Sequence, residues 1–133
     1  MATTVYQPST PQTKWRAGTP QTNTGRRGNF MIVSVLSTDY YQTPVSASEN
    51  GVAVNPTTLP VAYAFRLPGT APVTADWKTG SWDLGLNGTY LAQVLLGPGS
   101  GAVGLARGRY QVWLRVTDNP EVPIWPLGLL EVR

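Results

Sequence analysis

The sequence predicts an all-β protein, an immunoglobulin-like antiparallel β-sandwich with an extended N-terminal arm. Short runs rich in β-branched and aromatic residues alternate with turn residues, and no segment carries an apolar stripe with helical spacing. The 14 glycines and 12 prolines are scattered without a period, as expected of many strands joined by turns. A length of 133 residues suits one domain with one core.

The chain divides near residue 28. Residues 1–28 are rich in Thr, Gln, Pro and Gly, and they cannot bury enough apolar surface to fold alone. This arm holds four basic residues and no acidic one: Lys14, Arg16, Arg26 and Arg27. We expect it to extend from a β-sandwich domain over residues 29–133 and to reach an acidic groove on a neighbouring subunit. Packing along its own domain is the alternative.

Strand patterns occur in the body of the chain. The segments are Asn29–Ser37, Val61–Leu67, Tyr90–Leu96, Arg109–Thr117 and Gly128–Arg133. In Arg109–Thr117 the strict alternation predicts that Val112 and Leu114 face inward while Trp113 and Arg115 face outward. Asn29–Ser37 is apolar on both faces, so we expect it to be central in a sheet or covered by a partner.

Two connections predict hairpins. Leu95–Tyr110 has a glycine-rich tip between two strand candidates, and Val116–Leu130 joins the last two strands. In the second, the side chains of Asp118 and Asn119 can cap their own backbone and Pro120 fixes φ. We expect a rigid structural turn formed by Asp118, Asn119, Pro120, Glu121 and Pro123.

The residue types present offer little catalytic chemistry. The sequence has no histidine and no cysteine, which removes the usual general base, the common nucleophile pairs and most metal sites. Asp76 and Asp83 flank a segment holding Trp77 and Trp82, a pattern also typical of sugar-binding surfaces. Such a surface predicts that Trp77, Trp82 and Trp113 lie in one exposed row. We instead expect both indoles to close one end of the sandwich, with no enzymatic activity and no cofactor.

Composition favours a protein partner. Only 13% of residues are charged, which suits a surface covered by neighbours. Aromatic residues at positions predicted to be exposed are favoured anchors of protein interfaces. The candidate partner-binding residues are Trp15, Lys14, Arg16, Arg26, Arg27, Tyr40, Tyr41, Trp113 and Trp125. Four sparse charges disfavour nucleic acid. No apolar run approaches the roughly 20 residues of a membrane helix, and the first residues lack a signal-peptide pattern.

Residues 29–133 resemble small immunoglobulin-like virion proteins of tailed phages, especially phages of actinobacteria. The resemblance is carried by Val61–Phe65, Asp76-Trp77, Ser81-Trp82, Leu95–Pro98, Gly108–Pro123 and Gly128–Leu130. The chain is also similar to the N-terminal domains of siphophage upper baseplate proteins, in which a "D…PV" turn precedes a strand and "G-x-Y" opens a late one. Asp39 with Pro44-Val45, and Gly108 with Tyr110, fit that layout.

The resemblance implies a virion protein assembled in the host cytoplasm. The expected role is a capsid decoration or head accessory protein that binds and clamps major capsid subunits, alongside copies of itself. A head–tail connector or baseplate component, and a carbohydrate-binding module for host recognition, are the alternatives.

Overall fold

A computed structural model describes residues 13–23, 25–85 and 89–133. These residues form strands and one short 3-10 helix. The strands are β1 (Thr13–Ala17), β2 (Gln21–Thr22), β3 (Phe30–Val33), β4 (Asp39–Glu49), β5 (Val52–Val54), β6 (Val61–Arg66), β7 (Lys78–Thr79), β8 (Ser81–Leu84), β9 (Tyr90–Leu96), β10 (Gly108–Val116) and β11 (Ile124–Val132). The 3-10 helix, Thr74–Asp76, lies between β6 and β7.

The strands form two sheets packed as a sandwich. The first sheet has the order β1-β4-β9-β8, and β2 and β5 also pair with β4. The second has the order β3-β11-β10-β6-β7, in which only the β3–β11 pair of the described strands is parallel. These orders correspond to the A-B-E-D and G-F-C sheets of immunoglobulin domains. The predicted immunoglobulin-like all-β sandwich is therefore confirmed.

Tyr63 of β6 connects the two sheets at the centre of the core. Its side chain is fully buried, and its hydroxyl oxygen lies 2.8 Å from both Thr43 Oγ1 and the Ala92 carbonyl oxygen of the opposite sheet. The Tyr41 ring packs edge-on against it, with the ring centroids 5.7 Å apart. Burial raises the pKa of both tyrosine hydroxyls. Apolar side chains from both sheets fill the space around this pair, among them Val45, Val94, Val112, Leu114 and Leu130.

Tyr110 forms the corner contact that is typical of immunoglobulin-like sandwiches. It lies near the start of β10, and its hydroxyl donates to the Ala106 carbonyl oxygen at 2.7 Å. The contact fixes the path of the chain as it leaves the connection and enters the strand.

The predicted boundary at residue 28 is wrong. Residues 13–22 belong to the sandwich, because β1 pairs with Val45–Glu49 and β2 pairs with Tyr41 and Gln42. The chain then crosses to the second sheet as β3. The part of the predicted arm formed by residues 1–12 lies outside the described residues.

Two further expectations are corrected. The glycine-rich connection after β9 does not close a hairpin, since β9 lies in the first sheet and β10 in the second. The segment Asn29–Ser37 lies at a sheet edge and not in the centre, because among the described strands β3 pairs with β11 alone. The predicted hairpin between the last two strands is confirmed by the antiparallel pairing of β10 with β11.

Candidate functional site

The outer side of the second sheet carries an apolar patch. Val112, Leu114 and Val116 of β10 are buried in the core, so Trp113 and Arg115 point away from it, as the alternation predicted. The pairing register places Ala64 opposite Trp113 and Ala62 opposite Arg115. Both alanines are 7% exposed or less although they face away from the core, because the larger neighbouring side chains cover them.

This apolar surface extends across the sheet onto β11 and β3. Ile124 pairs with Arg115, and Phe30 pairs with Leu129. Phe30 and Ile124 are each 48% exposed. We call this surface the outer apolar face and define it by Phe30, Ala62, Ala64, Trp77, Trp113, Arg115, Ile124, Pro126 and Leu129.

Trp77 and Arg115 form a stacked pair on this face. The Arg115 guanidinium carbon lies 4.6 Å from the centroid of the Trp77 ring, within the range of a cation–π contact. Trp77 follows directly after the 3-10 helix. Asp76 holds that helix in place by accepting a hydrogen bond from the Val73 backbone N–H at 2.7 Å. The acid therefore caps a turn and positions the indole.

Ion pairs border the face. Arg66 Nη1 lies 3.4 Å from Asp76 Oδ2, and Arg109 Nε lies 3.3 Å from Glu131 Oε1. Arg133 Nε donates to Glu131 Oε2 at 2.6 Å. The hydrogen bond from Arg133, with the positive charges of both arginines, lowers the pKa of the Glu131 carboxyl. This acid stays charged between its two partners at neutral pH.

The outer side of the first sheet has the opposite character. A row of polar side chains crosses it in register, each amide donating to the next residue. Gln21 Nε2 donates to Gln42 Oε1 at 3.3 Å, Gln42 Nε2 to Gln93 Oε1 at 2.9 Å, and Gln93 Nε2 to Ser81 Oγ at 3.2 Å. Serines of β4 and the side chains of Lys14 and Arg16 continue the polar character.

The basic and aromatic candidates of the arm are separated in the structure. Trp15 pairs with Ala47 and packs against the protein's own core. The prediction that its side chain is exposed for binding a partner is therefore wrong. Lys14 and Arg16 alternate with it and are exposed on the polar side. Arg26 and Arg27 are exposed in the loop after β2.

The other aromatic candidates were also predicted to be exposed, and most are not. Tyr41 is 1% exposed and belongs to the core. Trp125 packs against the core from β11, and Tyr40 is half-buried on the polar side. Of the described candidates only Trp113, itself half-buried, lies on the outer apolar face.

The row of tryptophans required for a sugar-binding surface is not formed. Trp82 points inward, packs against the core and donates its indole N–H to the Leu59 carbonyl oxygen at 2.9 Å. Arg115 covers one ring face of Trp77, so that face cannot stack on a sugar. Asp83 accepts a hydrogen bond from the N–H of Leu84, its neighbour in β8, at 2.8 Å.

The predicted structural turn joins β10 to β11. Asp118 and Glu121 exchange two backbone hydrogen bonds, of 2.8 and 2.7 Å, and the peptide bond between Asn119 and Pro120 is cis. Pro123 accepts a hydrogen bond from the Val116 N–H at 3.1 Å. The backbone itself closes this turn, where the sequence predicted that the side chains of Asp118 and Asn119 would do so.

A cavity of about 210 Å³ opens between the sheets at one end of the sandwich. Its walls include Val33, Val35, Tyr41 and Leu96, and Arg26 and Asp39 lie at the same end. The described residues contain no group of three or more carboxylates that could hold a metal ion. In the ranges that the structure describes, no helix is long and apolar enough to cross a membrane.

Comparison with protein-family models and with curated proteins gave no match to this chain. The assignment of the site therefore depends on its geometry and on the sequence resemblance.

Proposed function

We propose that this chain is a non-catalytic structural protein that attaches to other protein subunits through its outer apolar face. The observation that carries the proposal is the contrast between the two outer sides of the sandwich. A sheet side that meets water is ordinarily polar, as the first sheet is at the exposed Lys14 and Arg16, next to a glutamine row that is itself mostly buried. The second sheet instead presents phenyl, indole and arginine side chains, the residue types enriched in protein interfaces, beside aliphatic ones.

The setting that we propose is a tailed-phage virion, in which the protein binds and clamps major capsid subunits as a decoration or head accessory protein. The support for this setting is the resemblance of residues 29–133, and the whole outer apolar face lies within that range. The absence of histidine and cysteine from the sequence supports a binding role over a catalytic one.

The test uses particles produced from the source genome with this gene deleted. Purified protein is added back, and its occupancy on the particles is measured by quantitative mass spectrometry. The informative variant combines Phe30→Glu with Ile124→Glu, since both side chains are 48% exposed and their replacement leaves the core intact. We expect at least about tenfold lower affinity, because both substitutions remove apolar contact from the face and each adds a carboxylate that binding must desolvate.

Leu36→Glu is the matched control, because Leu36 is 81% exposed and lies beyond the end of β3, off the face. Its occupancy should equal that of the unmodified protein. Equal occupancy of the double variant would refute attachment through this face. Thermal melts of the variants verify that each is folded.

A further inference from the structure

We infer that the outer apolar face receives an acidic segment of another protein, and that Arg115 binds a carboxylate of that segment. The inference rests on the proposed function, that this face is the attachment surface, and adds the chemistry of the partner.

Arg115 differs from the other arginines of this surface in having no acidic partner in the part of the chain that the structure describes. Arg66 pairs with Asp76, and Arg109 and Arg133 share Glu131. Among the described residues no carboxylate lies within ion-pair distance of the Arg115 guanidinium. A half-buried cation without a counter-charge is costly unless a partner supplies one.

The stacking on Trp77 prepares Arg115 for such a partner. Contact with the indole holds the guanidinium carbon 4.6 Å from the ring centroid and, although Nε is covered, leaves the terminal N–H groups to bind an acceptor. A planar guanidinium edge matches the two oxygens of a carboxylate. Arg115 therefore loses less side-chain conformational entropy on binding than a mobile lysine would.

Three buried N–H groups on this side of the sheet lack acceptors among the described residues. They belong to Arg66 Nε, Trp113 Nε1 and Arg115 Nε. They are covered in the unbound protein, so binding of an acceptor requires local rearrangement. Glu131 Oε1 on this side also lacks a hydrogen bond, but it lies 3.3 Å from Arg109 Nε in an ion pair. The groups without any partner among the described residues are therefore donors, which favour a partner rich in carboxylates and carbonyl oxygens.

The charge balance also argues against a second copy of this chain as the occupant. This side of the sheet carries four arginines, at 66, 109, 115 and 133, against two acids, at 76 and 131. A symmetric pair would place the same positive surface on both sides of the interface. Like charges facing each other there disfavour association, whereas an acidic segment complements the surface.

The test follows signals of the full-length ¹⁵N-labelled protein by NMR while short peptides are added. One blocked peptide alternates glutamate with leucine, and its counterparts carry glutamine or lysine in place of glutamate. We expect the glutamate peptide to bind about tenfold more tightly than the glutamine peptide and to shift the indole N–H signal of Trp113 and the Nε–H signal of Arg115. The indole signal of Trp82, already bonded to Leu59, is the internal reference.

Arg115→Gln should abolish the preference for glutamate, Arg115→Lys should keep part of it, and Arg109→Gln should leave it unchanged. Equal binding of the glutamate and glutamine peptides would overturn the carboxylate partner while leaving the face as an attachment surface. Absence of binding by the glutamate peptide at millimolar concentration would also overturn the carboxylate partner. The particle assay with Phe30→Glu and Ile124→Glu would then test the proposed function separately. Shifts that grow with protein concentration alone, or on adding an oligosaccharide, would assign the face to a second copy or a sugar and overturn the inference.

Discussion

Removing a single oxygen atom at the centre of the sandwich should measurably loosen the contact between its two sheets. In Tyr63→Phe the ring and its packing remain, but the hydroxyl that lies 2.8 Å from Thr43 Oγ1 and 2.8 Å from the Ala92 carbonyl oxygen is lost. Each buried hydrogen bond contributes about 1 kcal/mol, so the free energy of unfolding should fall by about 2 kcal/mol.

That loss converts to a shift in melting temperature through the entropy of unfolding. With roughly 2.1 cal/mol/K per residue, a chain of 133 residues unfolds with about 0.28 kcal/mol/K, so the midpoint should drop by about 7 °C. Circular dichroism melts and urea titrations measure both quantities. Unchanged denaturant slopes would show that the folded and unfolded states keep their compactness.

Tyr41→Phe is the matched control. Tyr41 is also buried and packs on Tyr63, but its hydroxyl has no hydrogen bond among the described residues. We expect that substitution to cost less than about 1 kcal/mol. A Tyr63→Phe midpoint close to that of the unmodified protein, or an equal drop in both variants, would refute the view that Tyr63 connects the sheets through its hydroxyl.

Two further expectations concern the scaffold. Gly128 has a φ of +153° and a side chain there would meet the backbone of Asn29, so Gly128→Ala should lower the melting temperature strongly. Gly104→Ala is the control and should leave the melting temperature unchanged, because the space around its Cβ position is open. Equal melting temperatures for the Gly128 and Gly104 variants would contradict the close approach of β11 to the residue before β3. Burial raises the pKa of Tyr41 and Tyr63, so the folded state holds their protons more tightly than the unfolded chain does. Stability should therefore be complete below the ordinary tyrosine pKa of about 10 and be lost as pH rises above it, with tyrosinate absorbance of these two groups appearing only on unfolding.

The strict alternation of β10 was readable from the sequence, and the facing of that strand was predicted correctly. The central strand β4 was missed because its inward residues include Thr43 and Ala47, while its outward residues include Gln42 and Pro44. Neither side has the strong apolar contrast that a period-two pattern needs. The polar composition of residues 13–22 concealed β1 and β2 in the same way.

The surface was harder to predict than the fold. The orientation of Trp113 and Arg115 followed from the alternation in β10. The position of the Arg115 guanidinium over the Trp77 ring, however, depends on a contact between distant parts of the chain. Trp15 and Trp125 were misassigned because a large aromatic residue in a proline-rich or polar segment gives no sign of whether its own core or a partner covers it. Only the tertiary packing distinguishes the two.

The crossing of the N-terminal segment from one sheet to the other has a practical consequence for how the protein can be dissected. Shortening the chain to begin at Gly28 would remove β1 and β2 and leave the backbone groups of one edge of β4 without partners. Such an edge recruits strands from other molecules, so the shortened protein would tend to aggregate by sheet extension. Any loss of attachment by that protein would then report misassembly. Charge reversal at Lys14 and Arg16, whose side chains are exposed while the strand stays paired, separates the contribution of the N-terminal charges from the integrity of the sheet.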